Sequence, residues 1–267
     1  MLTPMIDSLF TAMLALGLGM ARIFPCVLIA PIFAFSTLKG MVRTAIVVSL
    51  ALFITPTIVP QISALSLNAW AMVGLALKEI ILGLLLGLLL ALPFWLFTSV
   101  GALFDNQRGA LTGGQLNPAL GPDATPLGDM LRQWFIMLLI LSFGLRLVTQ
   151  VIWDSYNLWP IDAWLPAFSQ TGFAELLKRI AGMFVDMVLY AGPLVLLLML
   201  LDFCIGILSI YSPQLQATVL TVPVKCLAGT LFFIIYLPTL EYLARHQLLS
   251  LHDLIPHLSH ILPPKRK

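Results

Sequence analysis

Apolar residues dominate six long stretches of the chain: 9–34, 44–60, 69–104, 130–152, 181–211 and 215–240. About 20 consecutive apolar residues in a helix cross a hydrocarbon layer of about 30 Å. Several of the stretches fit that requirement poorly. The first contains Arg22, Pro25 and Pro31. The third is 36 residues long and holds Pro93, so a straight helix would measure about 54 Å at 1.5 Å per residue. The fifth carries Asp186, Pro193 and Asp202. Proline removes a backbone donor and kinks or breaks a helix. The pattern predicts an all-α integral membrane protein of about six kinked hydrophobic helices and hairpins. They form one domain over 1–240, and a mixed tail over 241–267 ends in PPKRK.

The connections sharpen this picture. The segments 35–43 and 61–68 are short. The stretch 153–180 is longer and holds Trp153, Tyr156, Trp159 and Trp164 beside Pro160 and Pro166, a composition expected at a membrane interface. Residues 175–179, ELLKR, are expected to start a helix, with Glu175 spaced for Lys178 and Arg179. YSPQ (211–214) predicts a tight turn at Pro213 and Gln214 that folds the last two long helices into a hairpin. With six spans, seven Lys and Arg fall on the side of both termini and four on the other, which orients the termini towards the cytoplasm.

Composition narrows the class. The chain is 60% hydrophobic and 10% charged, whereas soluble domains carry roughly 25% charged residues. A formal charge of +2 without a basic stripe excludes nucleic acid as a partner. Cys26, Cys204 and Cys226 are odd in number and lie in apolar runs, so they read as small hydrophobes. The N-terminus lacks the basic start and small-residue cleavage site of a secretory signal.

One tract breaks the apolar pattern. Residues 105–129, DNQRGALTGGQLNPALGPDATPLGD, follow 25 uncharged residues. Polar loop beside membrane-grade helix is costly unless protein shields it or it lines a water-filled path. Asp105 and Arg108, at i and i+3, are spaced to pair on one helical turn, flanked by Asn106 and Gln107. The alternative is an interfacial Arg108 that reaches to headgroups. Gly109, Gly113, Gly114, Gly121 and Gly128, with Pro118, Pro122 and Pro126, are expected to forbid a continuous helix through the tract. It is either a constriction or plug inside a conduit or a surface connector. Asn117-Pro118-Ala119 occurs once and no inverted repeat accompanies it, against an aquaporin-like pore.

The intramembrane charges need partners. Asp202 and Lys225 lie eleven and a half residues either side of the Pro213–Gln214 midpoint, so an antiparallel hairpin brings them to one depth. Pairing there avoids most of the cost of a lone charge; the alternative is that each faces another subunit or a lumen. Asp186 is about 160° round the helix from Asp202 and needs a different partner. Arg22, Lys78 and Glu79 complete the set. Lys78 and Glu79 are adjacent, so they are expected to point to different sides. Gly83-xxx-Gly87 permits close helix contact. His246, His252, His257 and His260 read as a solvated tail rather than a metal site. No hydrolase, nucleotide-binding or metalloprotease motif is present, so no catalytic residue, metal or cofactor is expected.

Several motifs together resemble a known family. They are ARxxP (Ala21, Arg22, Pro25), KE followed by glycines (Lys78, Glu79, Gly83, Gly87), DNQRG, NPALGPDATPLG, the YSPQ turn, and Pro223 with Lys225 before FFIIYLP. In that order they resemble the T subunit of the type III secretion export gate, the family of flagellar FliR, in its injectisome branch. Tyr211-Ser212 stand before the turn where many relatives carry a basic residue. The resemblance implies a fold like an R and an S subunit fused, closing a helical ring with R and S subunits and meeting the U and V subunits. It implies the bacterial inner membrane at the base of the needle complex, and a gate for unfolded secreted substrates driven by proton-motive force and a separate ATPase. It also implies a plug at about 106–123. The rival expectation is a stand-alone six-helix transporter with Glu79, Asp202 and Lys225 in its solute path.

Overall fold

The computed structural model describes residues 2–33, 40–63, 69–109, 125–162, 170–211 and 217–252. Among them every regular element is helical. They are α1 (Leu2–Ile29), a 3-10 turn (Pro31–Phe33), α2 (Met41–Ser63), α3 (Ala69–Arg108), α4 (Pro126–Ser142), α5 (Arg146–Leu158), α6 (Gln170–Tyr211) and α7 (Ala217–His252). A helix satisfies its own backbone polar groups, so long Leu- and Val-rich runs take this form wherever water is scarce. Five helices, all but α4 and α5, contain stretches long and apolar enough to cross a membrane. The α4–α5 pair supplies a sixth candidate.

Three expectations about these runs change. The fourth run is two helices: the chain breaks at 143–145, where Gly144 takes a left-handed φ of +67° that favours glycine. Pro93 and Pro193 interrupt nothing, since α3 continues for 40 residues and α6 for 42. Membrane-grade helices tolerate proline because neighbouring groups and local adjustment make good the lost bond. Helix α6 therefore starts at Gln170, ahead of ELLKR. Helix α7 runs unbroken past residue 240, and Leu240, Ala244, Leu248 and Leu251 form a buried stripe along its last turns. Residues 253–267 lie outside the described set.

The chain divides into two compact units. The first comprises Met1–Leu92, Ser142–Lys178 and Ser250–Lys267. Leu75, Leu82, Leu86 and Leu89 give α3 a buried stripe there, and Val47, Ala51, Ile54, Ile58 and Ile62 give one to α2. Helices α1 and α3 cross with backbones in contact. A Cβ added at Gly83 would overlap Arg22 O, and one at Gly87 would sit 3.0 Å from Cys26 Cα. Gly83→Ala must therefore push α1 away from α3. We expect it to lower the thermal midpoint of the purified protein or its complex by several degrees, and an unchanged midpoint would refute the close crossing.

The second unit comprises Pro93–Leu141 and Arg179–Leu249. Its aromatic centre sets Phe97 on Phe135 (centroids 4.6 Å apart, stacked) and Phe94 edge-on to Phe135 (5.0 Å). Gly101 and Gly128 meet where α3 crosses α4, and a Cβ at Gly101 would lie 2.6 Å from Gly128 Cα. That contact brings the first turn of α4 beside the last turns of α3.

Candidate functional site: the loop root and two charge clusters

The first unit buries three charges together. Arg22 on α1 and Glu79 on α3 are 0% exposed, and Lys78 is 2% exposed. Arg22 Nε lies 2.5 Å from Glu79 Oε2, and Lys78 Nζ lies 3.0 Å from Glu79 Oε1. Glu79 thus meets both its neighbour Lys78 and Arg22, contrary to the expectation that the adjacent pair point to different sides. Flexible side chains of that length curl round to a shared partner. The cations also hold the end of α5. Arg22 Nη1 donates to Ser155 O (2.9 Å) and Nη2 to Trp159 O (2.8 Å), while Lys78 donates to Pro160 O (3.2 Å) and Ile161 O (3.0 Å). Ser155 O is among the last carbonyls of α5, which lack partners within the helix and carry its negative end, and the other three acceptors belong to the segment that leaves it.

Two further side chains, neither expected beside these charges, complete the cluster. The Arg22 guanidinium stacks 4.0 Å from the Tyr156 ring centre, and Tyr156 Oη donates to Gly19 O (2.9 Å). Gln61 Oε1 accepts the Ile161 N–H at 3.1 Å. The aromatic stretch is therefore no simple interfacial belt: Tyr156 and Trp159 are buried, Trp153 is partly exposed, and Trp164 lies outside the described residues.

The second unit builds the root of the polar loop. Helix α3 ends at Arg108, and Gly109 turns the chain out with φ +88°. Asp105, 0% exposed, uses both oxygens. Oδ2 accepts the Leu127 N–H at 2.7 Å, and Oδ1 pairs with Arg108 Nη2 at 2.6 Å. Pro126 is the first residue of α4, where a missing N–H costs nothing, and the next free N–H is the one that Asp105 takes. One carboxylate of α3 thus serves as the N-terminal cap of α4 and holds the two ends of the loop together. The Arg108 guanidinium lies 5.5 Å over the Phe104 ring. Asn106 is exposed and Gln107 half-buried. Gly113, Gly114, Asn117, Pro118 and Gly121 fall outside the described residues, as do Pro213 and Gln214.

Asp202 and Lys225 come together as the turn symmetry predicts, 2.6 Å apart, and Lys225 also donates to Gln107 O at 3.1 Å. Asp186 has a separate partner: Gln247 Nε2 donates to Asp186 Oδ2 and to Tyr190 Oη, each at 3.0 Å. Gln247 was invisible in sequence because it sits in the segment expected to be tail.

Comparison with known proteins matches residues 13–251 to the model of bacterial export proteins, family 1. The chain is similar to Yop proteins translocation protein T of Yersinia pestis, at 31% identity over 86% of this chain and 88% of the relative. It is similar to surface presentation of antigens protein SpaR of Salmonella typhimurium, at 30% identity over 82% and 81%. Flagellar biosynthetic protein FliR of Pectobacterium carotovorum is 26% identical over 88% of both chains. The match runs from within α1 to the last turn of α7 and takes in both charge clusters and the loop root, so the chain belongs to this family of bacterial export proteins, that of the type III secretion T subunits and FliR.

Proposed function

We propose that this chain is a non-enzymatic structural and gating subunit of the type III secretion export gate. It forms part of the path by which unfolded secreted proteins enter the apparatus, in the bacterial inner membrane at the base of the needle complex. Residues 105–126 act as its plug. The observation that carries this reading is the clamped root: Asp105 ties the last turn of α3 to the first turn of α4, so the two described ends of the tract are held side by side. A loop that merely linked two helices would need no buried carboxylate at its base.

Partner subunits are part of the proposal. The spans of α6 and α7 are each only 11% buried, against 72% for α3, and both keep large apolar side chains on several sides. Protein of similar make-up suits such faces, and Asp202, still 41% exposed at its side chain, is polar enough to prefer protein over lipid. We assign these faces to the R and S subunits, with the U and V subunits further out. The stand-alone transporter reading does not fit, because Glu79 is enclosed by Arg22 and Lys78 with no exposed surface for a solute.

Native mass spectrometry of the chain co-expressed with R and S subunits tests the assignment. One copy in a defined hetero-oligomer is expected; a stable monomer or homo-oligomer that ignores those partners refutes it. Within an assembled gate, deleting 110–116 should raise small-ion conductance of the closed state several-fold. Unchanged conductance would remove the plug.

A further inference from the structure

Asp186 stands apart from the other charges within the apolar spans. Arg22 and Lys78 share Glu79, Arg108 pairs with Asp105, and Lys225 pairs with Asp202. Among the described residues no cation pairs with Asp186. Its partner is a neutral amide: Gln247 Nε2 donates to Oδ2 at 3.0 Å and is shared with Tyr190 Oη, also at 3.0 Å. An ionised carboxylate can accept about four hydrogen bonds, so one shared amide leaves most of its capacity unused.

The surface of α6 around it is apolar and open. Phe184, Val185, Val188 and Leu189 are each more than half exposed. Asp186 itself is half-buried, one turn before the buried Tyr190. One turn back on the same face, a Cβ placed on Gly182 would meet no neighbour within 4 Å. The helix surface is thus notched beside its carboxylate, and small residues let a second helix approach closely. Lipid on this face would strand a carboxylate against hydrocarbon, and a wholly apolar protein surface would do the same. The covering that fits is a protein helix that brings its own cation, because neither ion then stays uncompensated.

We infer that Asp186 is the docking point for a Lys or Arg on a helix of the neighbouring export-gate subunit, which packs at Gly182 and forms an ion pair across the interface. The inference deepens the assignment of the α6 face to the R and S subunits and rests on it. Gln247 orients the carboxylate through Oδ2 and leaves Oδ1 for the incoming cation. A single carboxylate on an apolar face also sets the register of the two helices, since a partner slipped by one turn, about 5.4 Å, loses the pair.

The test is the share of tagged chain recovered in hetero-oligomer with co-expressed R and S subunits, read by native mass spectrometry beside the chain's level in the membrane. Asp186→Asn keeps an acceptor oxygen for Gln247 and removes the charge. It should leave the membrane level within about twofold and cut the recovered share at least about tenfold, as when a buried interfacial charge loses its partner. Gln247→Lys supplies the same carboxylate with a cation from within the chain. It should accumulate as well as the parent, yet its share should fall as far, because the incoming cation meets an occupied carboxylate. Gln247→Leu loses the amide but keeps the charge free, and should hold the share within about twofold. A share at the parent's level in Asp186→Asn or in Gln247→Lys overturns the inference. So does a fall in Gln247→Leu equal to that in Gln247→Lys, since the amide and not the charge would then hold the face. Should Asp186→Asn fail to accumulate, Gln247→Lys decides alone, with the carboxylate intact. A parent chain that forms no hetero-oligomer refutes the partner assignment itself, before any variant is compared.

Discussion

Membranes from cells carrying Glu79→Gln should hold little of this chain, whereas Lys78→Met should leave clearly more of it. The reason is charge count in a closed space. Arg22, Lys78 and Glu79 together carry one net positive charge, which Ser155 O, Trp159 O, Pro160 O and Ile161 O solvate. Removing the carboxylate leaves two cations with no anion of their own, and breaking a buried pair from one side costs about 3–5 kcal/mol. Total stabilities are about 5–15 kcal/mol, so that loss is enough to expose the chain to proteolysis. Removing the ammonium leaves Arg22 and Glu79 as a neutral pair. Two carbonyls then lose their donor, at about 1–3 kcal/mol for each one left unsatisfied, but no charge is left without a counter-charge. The double variant Lys78→Met, Glu79→Gln returns the net charge to its starting value and should accumulate better than Glu79→Gln alone. Immunoblots of membrane fractions, with pulse-chase half-lives, measure this order. Equal levels for the two single variants would show that the cluster is not held by its carboxylate.

How much of this was legible in the sequence depends on which atoms do the work. Side-chain pairs with a regular spacing were readable. Asp105 and Arg108 sit one helical turn apart, and Asp202 and Lys225 are equidistant from a turn; both meet in the structure. Apolar runs likewise gave the helices, because a membrane-grade stretch has little choice of structure. Partnerships with backbone atoms were hidden. Every residue has a carbonyl and almost every one an N–H, so nothing marks Ser155 O and Trp159 O as ligands of Arg22, Gln107 O as a ligand of Lys225, or the Leu127 N–H as the donor to Asp105. The adjacency of Lys78 and Glu79 misled for a related reason: side-chain reach exceeds the separation that a helical wheel implies. Gly144 was readable in principle, but a single glycine in an apolar run signals a break only when its φ is known.

The loop root offers the second large effect, and it turns on a substitution of nearly identical shape. Asp105→Asn should raise the ion conductance of the closed gate and reduce secretion while leaving the chain assembled. Asp105 accepts the Leu127 N–H on Oδ2 and faces the Arg108 guanidinium as an ion pair on Oδ1. An amide has one acceptor and one donor group, so either orientation sets N–H against N–H on one side. Each bond to a charged group is worth about 1.5–3 kcal/mol, and 1.4 kcal/mol is tenfold in an equilibrium. The fraction of gates with an undocked root should therefore rise at least tenfold. Arg108→Ala is expected to impair secretion less, because Arg108 is 21% exposed at its side chain and water can replace it on Oδ1, while the bond from Leu127 survives. Ion flux through assembled gates in vesicles, paired with secretion assays, separates the two variants. A closed state of Asp105→Asn as tight as the parent's, with secretion unchanged, would mean that the buried carboxylate holds two helices together and has no part in closing the path.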